Sequence, residues 1–251
     1  MTEKTPHRFD PEISFAQNAA SVFRTPHLPC PYLDGKSESR IAIDLAGGRA
    51  SERYAHLSQA GFRRTGRFAY RPDCPDCTAC VSVRVLAESF SPNRSQRRIW
   101  KANEELVASE CPPTATDEQF SLFRRYQRAR HGDGEMARMD FASYLEIVEE
   151  ALAETRLIEF RKADGTLVLV GLVDWLSDGP SAVYSFFEPE ESRQSLGNFL
   201  ILWLIDQARS QNLPHVYLGY WISKCRKMAY KTHFQRIEGF GDFGWKPIDI
   251  E

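Results

Sequence analysis

The sequence predicts an α+β fold in two unequal parts, and three observations carry that prediction. An early block of short strand-like runs holds most of the cysteines, and it ends at Pro112 and Pro113, which cannot continue a helix. Beyond the prolines, apolar residues alternate between stretches of helical period and stretches of strand period. The later half then reads helix, helix, three strands joined by tight turns, helix, strand, helix. We therefore expect a small Cys-containing α/β domain over 1–111 and a second domain over 112–251.

In the first domain "SRIAIDL" reads as a strand and "SERYAHLSQA" as a helix closed by Gly61. "FRRTGRFAYRP" and "CVSVRVL" read as strands on either side of the cysteines. A helix expected from Arg94 to Ala108 places Arg94, Arg97, Arg98 and Lys101 at i, i+3, i+4 and i+7, one uniformly basic face. Glu105, four residues after Lys101, can neutralise part of it.

After the prolines, Thr114 and Asp117 suit the start of a helix over Glu118 to Arg130. Phe141, Tyr144, Leu145, Val148 and Leu152 form the apolar stripe of the next helix. "TRLIEF", "LVLVGLVDWL" and "AVYSFF" follow as a meander, turning at Asp164-Gly165 and at "SDGP". An apolar helix starts near Ser195, and "HVYLGYWI" is a strand leading into a basic segment. This is the element order of an acetyltransferase-like (GNAT) domain, whose reaction centre lies where two central strands splay apart. Such an analogy concerns fold and names no reaction.

The chain has 251 residues and a formal net charge of −2, which by itself points to no polyanionic partner. The distribution does. Residues 61–101 hold nine Arg or Lys against three Asp or Glu, and residues 215–236 hold five basic residues and no acidic one. Separated fields of this kind suit a polyanion. The first residues contain no apolar signal core, and no run approaches the roughly 18 to 20 apolar residues of a membrane span. A cytoplasmic location is expected, with neither membrane nor DNA as a partner. A reducing compartment disfavours disulfides among the six cysteines.

Cys74, Cys77 and Cys80 place three thiols in one short loop, and tetrahedral zinc or an iron–sulfur cluster generally needs a fourth ligand. Cys30 is the leading candidate, ahead of His27 and Cys111. Ordinary reduced thiols are the competing reading. Gln194-Ser-Leu-Gly197-Asn-Phe199 loosely follows the Gln/Arg-x-x-Gly-x-Gly/Ala turn that holds the coenzyme A pyrophosphate. Phe199 stands where a small residue is needed, which argues against coenzyme A. The turn at Ser195–Gly197 still offers N–H groups to an anion or carbonyl, or it is a plain helix start with Ser195 as its cap. Glu188, at a strand end beside Pro189, can orient or deprotonate an amine. Tyr217 and Trp221 can line an apolar pocket or stack on a base, as well as pack in the core.

Five blocks, "PCPYL", "GFRRTGRFAYRPDCPDCTACVSVRV", "FSPNRSQRR", "YSFFEPEESRQSLGNF" and "VYLGYWISKCRKMAYKTHF", occur in this order over nearly the whole chain. Together they resemble the bacterial branch of the arginyl-tRNA–protein transferase family. The resemblance implies transfer of an amino acid from its tRNA ester to the α-amino group of a protein beginning with Asp or Glu, marking it for degradation. It implies leucyl-tRNA as donor, whereas eukaryotic relatives use arginyl-tRNA. Those relatives carry a Cys-x-x-Cys pair where this chain has Cys30 and Leu33, so a family-type cluster here needs Cys74 or Cys80 as a substitute ligand.

Such a reaction requires no cofactor, because the ester is already activated and an N-terminal amine has a pKa near roughly 7.7. Juxtaposition supplies on the order of 7 to 11 kcal/mol, against roughly 3 to 5 kcal/mol from a general base. Selecting an acidic acceptor calls for Arg or Lys, and the matching blocks offer Arg63, Arg64, Arg71, Arg84 and Lys231. Glu188 with the Ser195–Gly197 turn is the candidate for chemistry, and Tyr217 with Trp221 for the leucyl group. The basic stripe together with Lys224 and Lys227 is the candidate tRNA surface. A coenzyme A-dependent N-acetyltransferase and a non-catalytic zinc-containing RNA-binding protein are the alternatives.

Overall fold

The computed structural model describes residues 21–248 except 133, 151 and 153, and says nothing of the side chains of 135, 192 and 193. The first twenty residues of the expected N-terminal domain lie outside the described residues. Strands β1 (Val22–Arg24), β2 (Leu28–Pro29), β3 (Ser37–Glu38) and β4 (Arg40–Asp44) precede helix α1 (Ala50–Gln59). The arginine-rich run that follows is a hairpin, β5 (Arg63–Thr65) with β6 (Phe68–Pro72). Four of these strands form an antiparallel sheet in the order β1-β4-β6-β5, with α1 covering it through Tyr54 and Ala55.

Strand β7 (Val81–Leu86) leaves this sheet, and α2 (Arg94–Ala102) and β8 (Val107–Cys111) follow. The basic helix is shorter than the expected Arg94–Ala108. Asn93 and Gln96 open it with a reciprocal capping box, and Asn103 closes it. The next residues are drawn into strand by pairing of Val107–Cys111 with a distant partner, which local periodicity cannot show.

The remainder comprises α3 (Asp117–His131), α4 (Phe141–Glu149), β9 (Thr155–Arg161), β10 (Leu167–Leu176), β11 (Gly179–Phe187), α5 (Leu196–Ser210), β12 (His215–Trp221), β13 (Ile237–Gly241) and β14 (Gly244–Pro247). An eight-stranded sheet runs β14-β13-β7-β12-β11-β10-β9-β8. Strands β7 and β8, both before residue 112, therefore belong to the same sheet as the later strands, so the expected junction cuts across it. Helix α5 buries Leu196, Phe199, Leu200 and Leu204 on one sheet face, while α3 and α4 cover the other through Phe123, Tyr144 and Val148. No helix of the described residues is long and apolar enough to cross a membrane.

The sheet's one parallel neighbour pair is β11 with β12, and its register is a single pairing, Ser181 with Tyr217. Beyond it the two strands part. Their separation opens backbone groups to a cavity, the feature that positions the site.

Candidate active site

Strand β5 delivers Arg63 and Arg64 to opposite sides of the backbone, and their fates differ. Arg64 forks onto Asp174, Nε to Oδ2 at 2.7 Å and Nη2 to Oδ1 at 2.8 Å, with both side chains essentially inaccessible. Thr155 donates to the same carboxylate at 2.6 Å. Arg63 enters the gap between β11 and β12, where Nη1 donates to Ser181 Oγ at 3.1 Å and Nη2 to the Ala182 carbonyl at 2.7 Å. Gly219 makes room for it. A Cβ there would lie 3.0 Å from the guanidinium, and φ is +83°.

Arg63 and the buried Lys231 face one cavity of about 690 Å³, within the usual range for ligand sites. Lys231 Nζ donates to the Tyr220 carbonyl at 2.5 Å. Burial, and next the Arg63 charge, push its ammonium down to about 7, with Cys225 acting in the opposite sense. Among the described residues no carboxylate forms an ion pair with either cation. The acid that does line the cavity, Glu191, is held by Lys162 at 2.5 Å and by Gln194 at 2.9 Å.

Elsewhere the cavity wall is largely apolar and aromatic, with Leu200 and Ile201 from α5, Phe187 from β11 and Tyr126 from α3. Tyr126 and Phe187 meet edge to face at 4.8 Å. Two further cations, Arg130 and Lys227, line the same cavity beside His131. Burial lowers the His131 imidazolium first, and Lys227 and Arg130 lower it further.

Ser195 and Gly197 also line the cavity. Ser195 stands in the N-cap position of α5, but its side chain makes no capping bond and its backbone is left-handed, φ 51°. Its carbonyl accepts from the Asn198 and Phe199 N–H groups at 2.9 and 3.0 Å. The first-turn N–H groups ahead of Asn198, those of Leu196 and Gly197, have no partner within the helix. Non-glycine residues hold such a backbone only where the surroundings impose it. Phe199 turns into the core against Phe160 and Trp100, so the place that a phosphate-binding loop keeps empty is filled. Helix α2 is tied to this turn, because Asn103 Nδ2 donates to the Gln194 carbonyl at 2.8 Å.

Not all expected site residues gather here. Glu188 lies outside the lining and accepts from Arg125 Nη2 at 2.9 Å and Nε at 3.0 Å. Arg84 pairs with Glu238 at 2.8 Å and stacks over Trp245. Arg71 is exposed, with its guanidinium 5.2 Å from the Phe62 ring. Tyr217 is buried in the small-sheet core and donates to Asp178 at 2.6 Å, and Trp221 packs against the main core. Tyr220 and Leu218 line the cavity in their place. Strand alternation set by the bulge between Tyr217 and Gly219 is the signal that separates them. Arg94, Arg97, Arg98, Lys101 and Lys224 are exposed. Tyr126, Tyr184, Arg130 and His131 carried no sequence signal that tied them to this cavity.

Cys30, Cys74, Cys77 and Cys80 are free thiols, each partly buried. They do draw together. Burial and then the nearby Cys74, Cys30 and Cys77 push the Cys80 thiol up to about 11. Among the described residues, however, no three His, Cys, Asp or Glu side chains converge so as to hold a metal ion. The loop backs the cationic end of the cavity, since Cys80 acts on the lining residues Tyr32 and Tyr220.

A splayed mixed sheet, a buried helix whose first turn faces the splay, and cations in one cavity form the GNAT-like arrangement expected of the second domain. The chain belongs to the arginine-tRNA-protein transferase family, matching the description of its N terminus over residues 28–98 and of its C terminus over residues 118–240. These two matches flank residue 112 even though the large sheet spans it. The "Aspartate/glutamate leucyltransferase" of Paramagnetospirillum magneticum is 50% identical over 224 residues, 89% of this chain and 92% of that one. That of Rhodospirillum rubrum is 49% identical over 228 residues, covering 90% and 93%. Among solved structures, L-PGS from Bacillus licheniformis is similar with TM-score 0.48 and 9% identity, over 64% of this chain and 58% of that one.

Proposed function

We propose that the protein is an aminoacyl-tRNA–protein transferase that moves leucine from leucyl-tRNA to the α-amino group of proteins beginning with Asp or Glu. The observation that carries the reading is Arg63: a buried guanidinium in the strand gap with two bonds to neutral oxygens and no carboxylate among the described residues. Charge buried without a counter-ion is costly. An acceptor bringing its own carboxylate relieves that cost, and Arg offers it a two-pronged hydrogen-bonding face.

The leucyl side chain fits the wall of Leu200, Ile201 and Phe187, where Glu191, the acid among the described lining residues, is already engaged by Lys162 and so is not free for an arginyl donor. First-turn N–H groups at Ser195–Gly197 suit the ester carbonyl oxygen as charge develops on it. Arg94, Arg97, Arg98 and Lys101 suit the tRNA backbone, with Lys224 and Lys227 as further phosphate contacts. The Asn103–Gln194 bond joins that helix to the ester turn. Bringing amine and ester together does most of the catalytic work, so no nucleophilic side chain is required.

Purified protein incubated separately with labelled leucyl-tRNA and arginyl-tRNA, and with peptides beginning with Asp, Glu or Ala, tests the reading. Label should pass from leucyl-tRNA to the Asp and Glu peptides. Acetylation of the same peptides from acetyl-coenzyme A, or tRNA binding with no transfer, would replace it with one of the alternative activities.

A further inference from the structure

Arg63 and Lys231 are treated differently by the fold, although both are buried and both face the cavity. A guanidinium is a permanent cation. The Arg63 fork is held against β11 by Ser181 and Ala182, so it is a fixed cation facing whatever anion enters. Lys231 is not fixed by any acid among the described residues. One N–H of its amine is used on the Tyr220 carbonyl, at the end of β12 where the strands part. The titratable groups acting on it are Arg63 from β5, which opposes protonation, and Cys225 from the loop after β12, which favours it. The aromatic neighbour is Tyr230, whose ring centroid lies 5.9 Å from Nζ. A second permanent charge beside Arg63 would add repulsion with no counter-ion. An uncharged amine has a lone pair to offer, and a buried lysine is well suited to acting as a base.

Resting on the functional reading above, we propose that Lys231 is the proton acceptor of the transfer, and that Arg63 holds the acceptor's side-chain carboxylate. The α-ammonium of the incoming protein loses one proton to solvent. As the freed nitrogen attacks the ester carbonyl carbon and forms the C–N bond, Lys231 Nζ takes a second proton from that nitrogen. When the bond from that carbon to the ribose oxygen breaks, Lys231 gives this proton to the departing oxygen and is neutral again. The products are an amide, a free ribose hydroxyl and one proton. Glu188, outside the cavity lining and held by Arg125, has no part in these steps.

The test is single-turnover leucyl transfer from preformed protein–leucyl-tRNA complex to Asp-headed and Asn-headed peptides, at saturating and at subsaturating peptide, across a pH series. Lys231→Met should slow transfer to both peptides by about 10²- to 10⁴-fold while leaving the Asp-to-Asn preference intact. Lys231→Arg, which keeps the charge but cannot take up a proton, should be equally slow. The less basic analogue γ-thialysine at position 231 keeps the shape of the side chain. It should restore transfer with the acid limb of the rate profile moved to lower pH. Because the peptide is the same, any such movement belongs to position 231.

A Lys231→Met protein that keeps its rate but loses the Asp preference would make Lys231 the carboxylate holder and overturn the assignment. So would a thialysine protein whose acid limb does not move. A wild-type protein that transfers to no acid-headed peptide would overturn the functional reading and this assignment with it. Wild-type activity alongside full-rate Lys231 variants would overturn this assignment alone.

Discussion

The joint around Arg64 and the cavity end around Arg63 are one residue apart in sequence and opposite in chemistry. At the joint, a guanidinium meets a carboxylate in a closed pair that ties the small sheet to the large one. In the cavity, a guanidinium of the same strand meets only neutral oxygens among the described residues. A cation with its acid in place is part of the structure, whereas one without an acid is a receptor for it. The contrast follows from which side of β5 each residue occupies and from what the large sheet presents there: Asp174 on one side, open backbone and Ser181 on the other.

The most severe way to probe the contrast is to remove half of the joint. Arg64→Met or Asp174→Asn should each cost about 3 to 5 kcal/mol of stability, measured by urea unfolding. The paired Arg64→Met/Asp174→Leu change should recover much of that. Arg63→Met should behave the other way round. Stability should hold, while kcat/KM for an Asp-headed peptide falls by about 30-fold to several thousandfold, the equivalent of roughly 2 to 5 kcal/mol.

Lys231 sharpens the same comparison through pH. Its folded value of about 7 lies below its ordinary value of 10.5, so between those values the unfolded chain binds the extra proton. Stability should therefore rise with pH across that window. Lys231→Met should abolish the slope and raise the unfolding midpoint most below pH 7, which thermal melts across the pH series would show. A midpoint that falls at low pH would mean that Lys231 has a counter-ion.

Smaller effects belong to the surface. Arg97→Glu with Arg98→Glu should raise the Kd for leucyl-tRNA and make the slope of log K against log salt shallower by about one for each phosphate no longer neutralised. Unchanged binding at low salt would remove α2 from the tRNA surface. Glu188→Gln should cost under about 1 kcal/mol, because the Arg125 partner is half exposed, and should change the single-turnover rate little. A loss of a hundredfold would return Glu188 to the chemistry.

Much of the fold was legible because its elements announce themselves locally. Strand-period runs gave β9 to β11, and the strongly apolar stretch after Ser195 gave α5. What stayed hidden depends on distant partners. Val107–Cys111 is a strand because β9 lies beside it, and β13 and β14 come from a short glycine-containing segment whose order rests on pairing with β7 and with each other. The same holds for the site. Sequence offered Arg63, Arg64, Arg71 and Arg84 as equals. Asp174, Glu238 and the Phe62 ring, which take up three of them, are visible in space alone. Glu188 looks free in sequence, and Arg125, which holds it, comes from another element. Lys231 and Ser195–Gly197 were legible from their blocks, and the aromatic wall from α3 was not.

The central claim is that the Arg63 guanidinium in the strand gap, with no carboxylate partner among the described residues, reads the acceptor's first side chain. Measuring kcat/KM for leucyl transfer to otherwise identical Asp- and Asn-headed peptides, with wild type and with Arg63→Met, tests it most directly. The account predicts a strong Asp preference in the wild type that collapses towards unity in the variant. An Arg63→Met protein that still prefers Asp by the wild-type margin would contradict it.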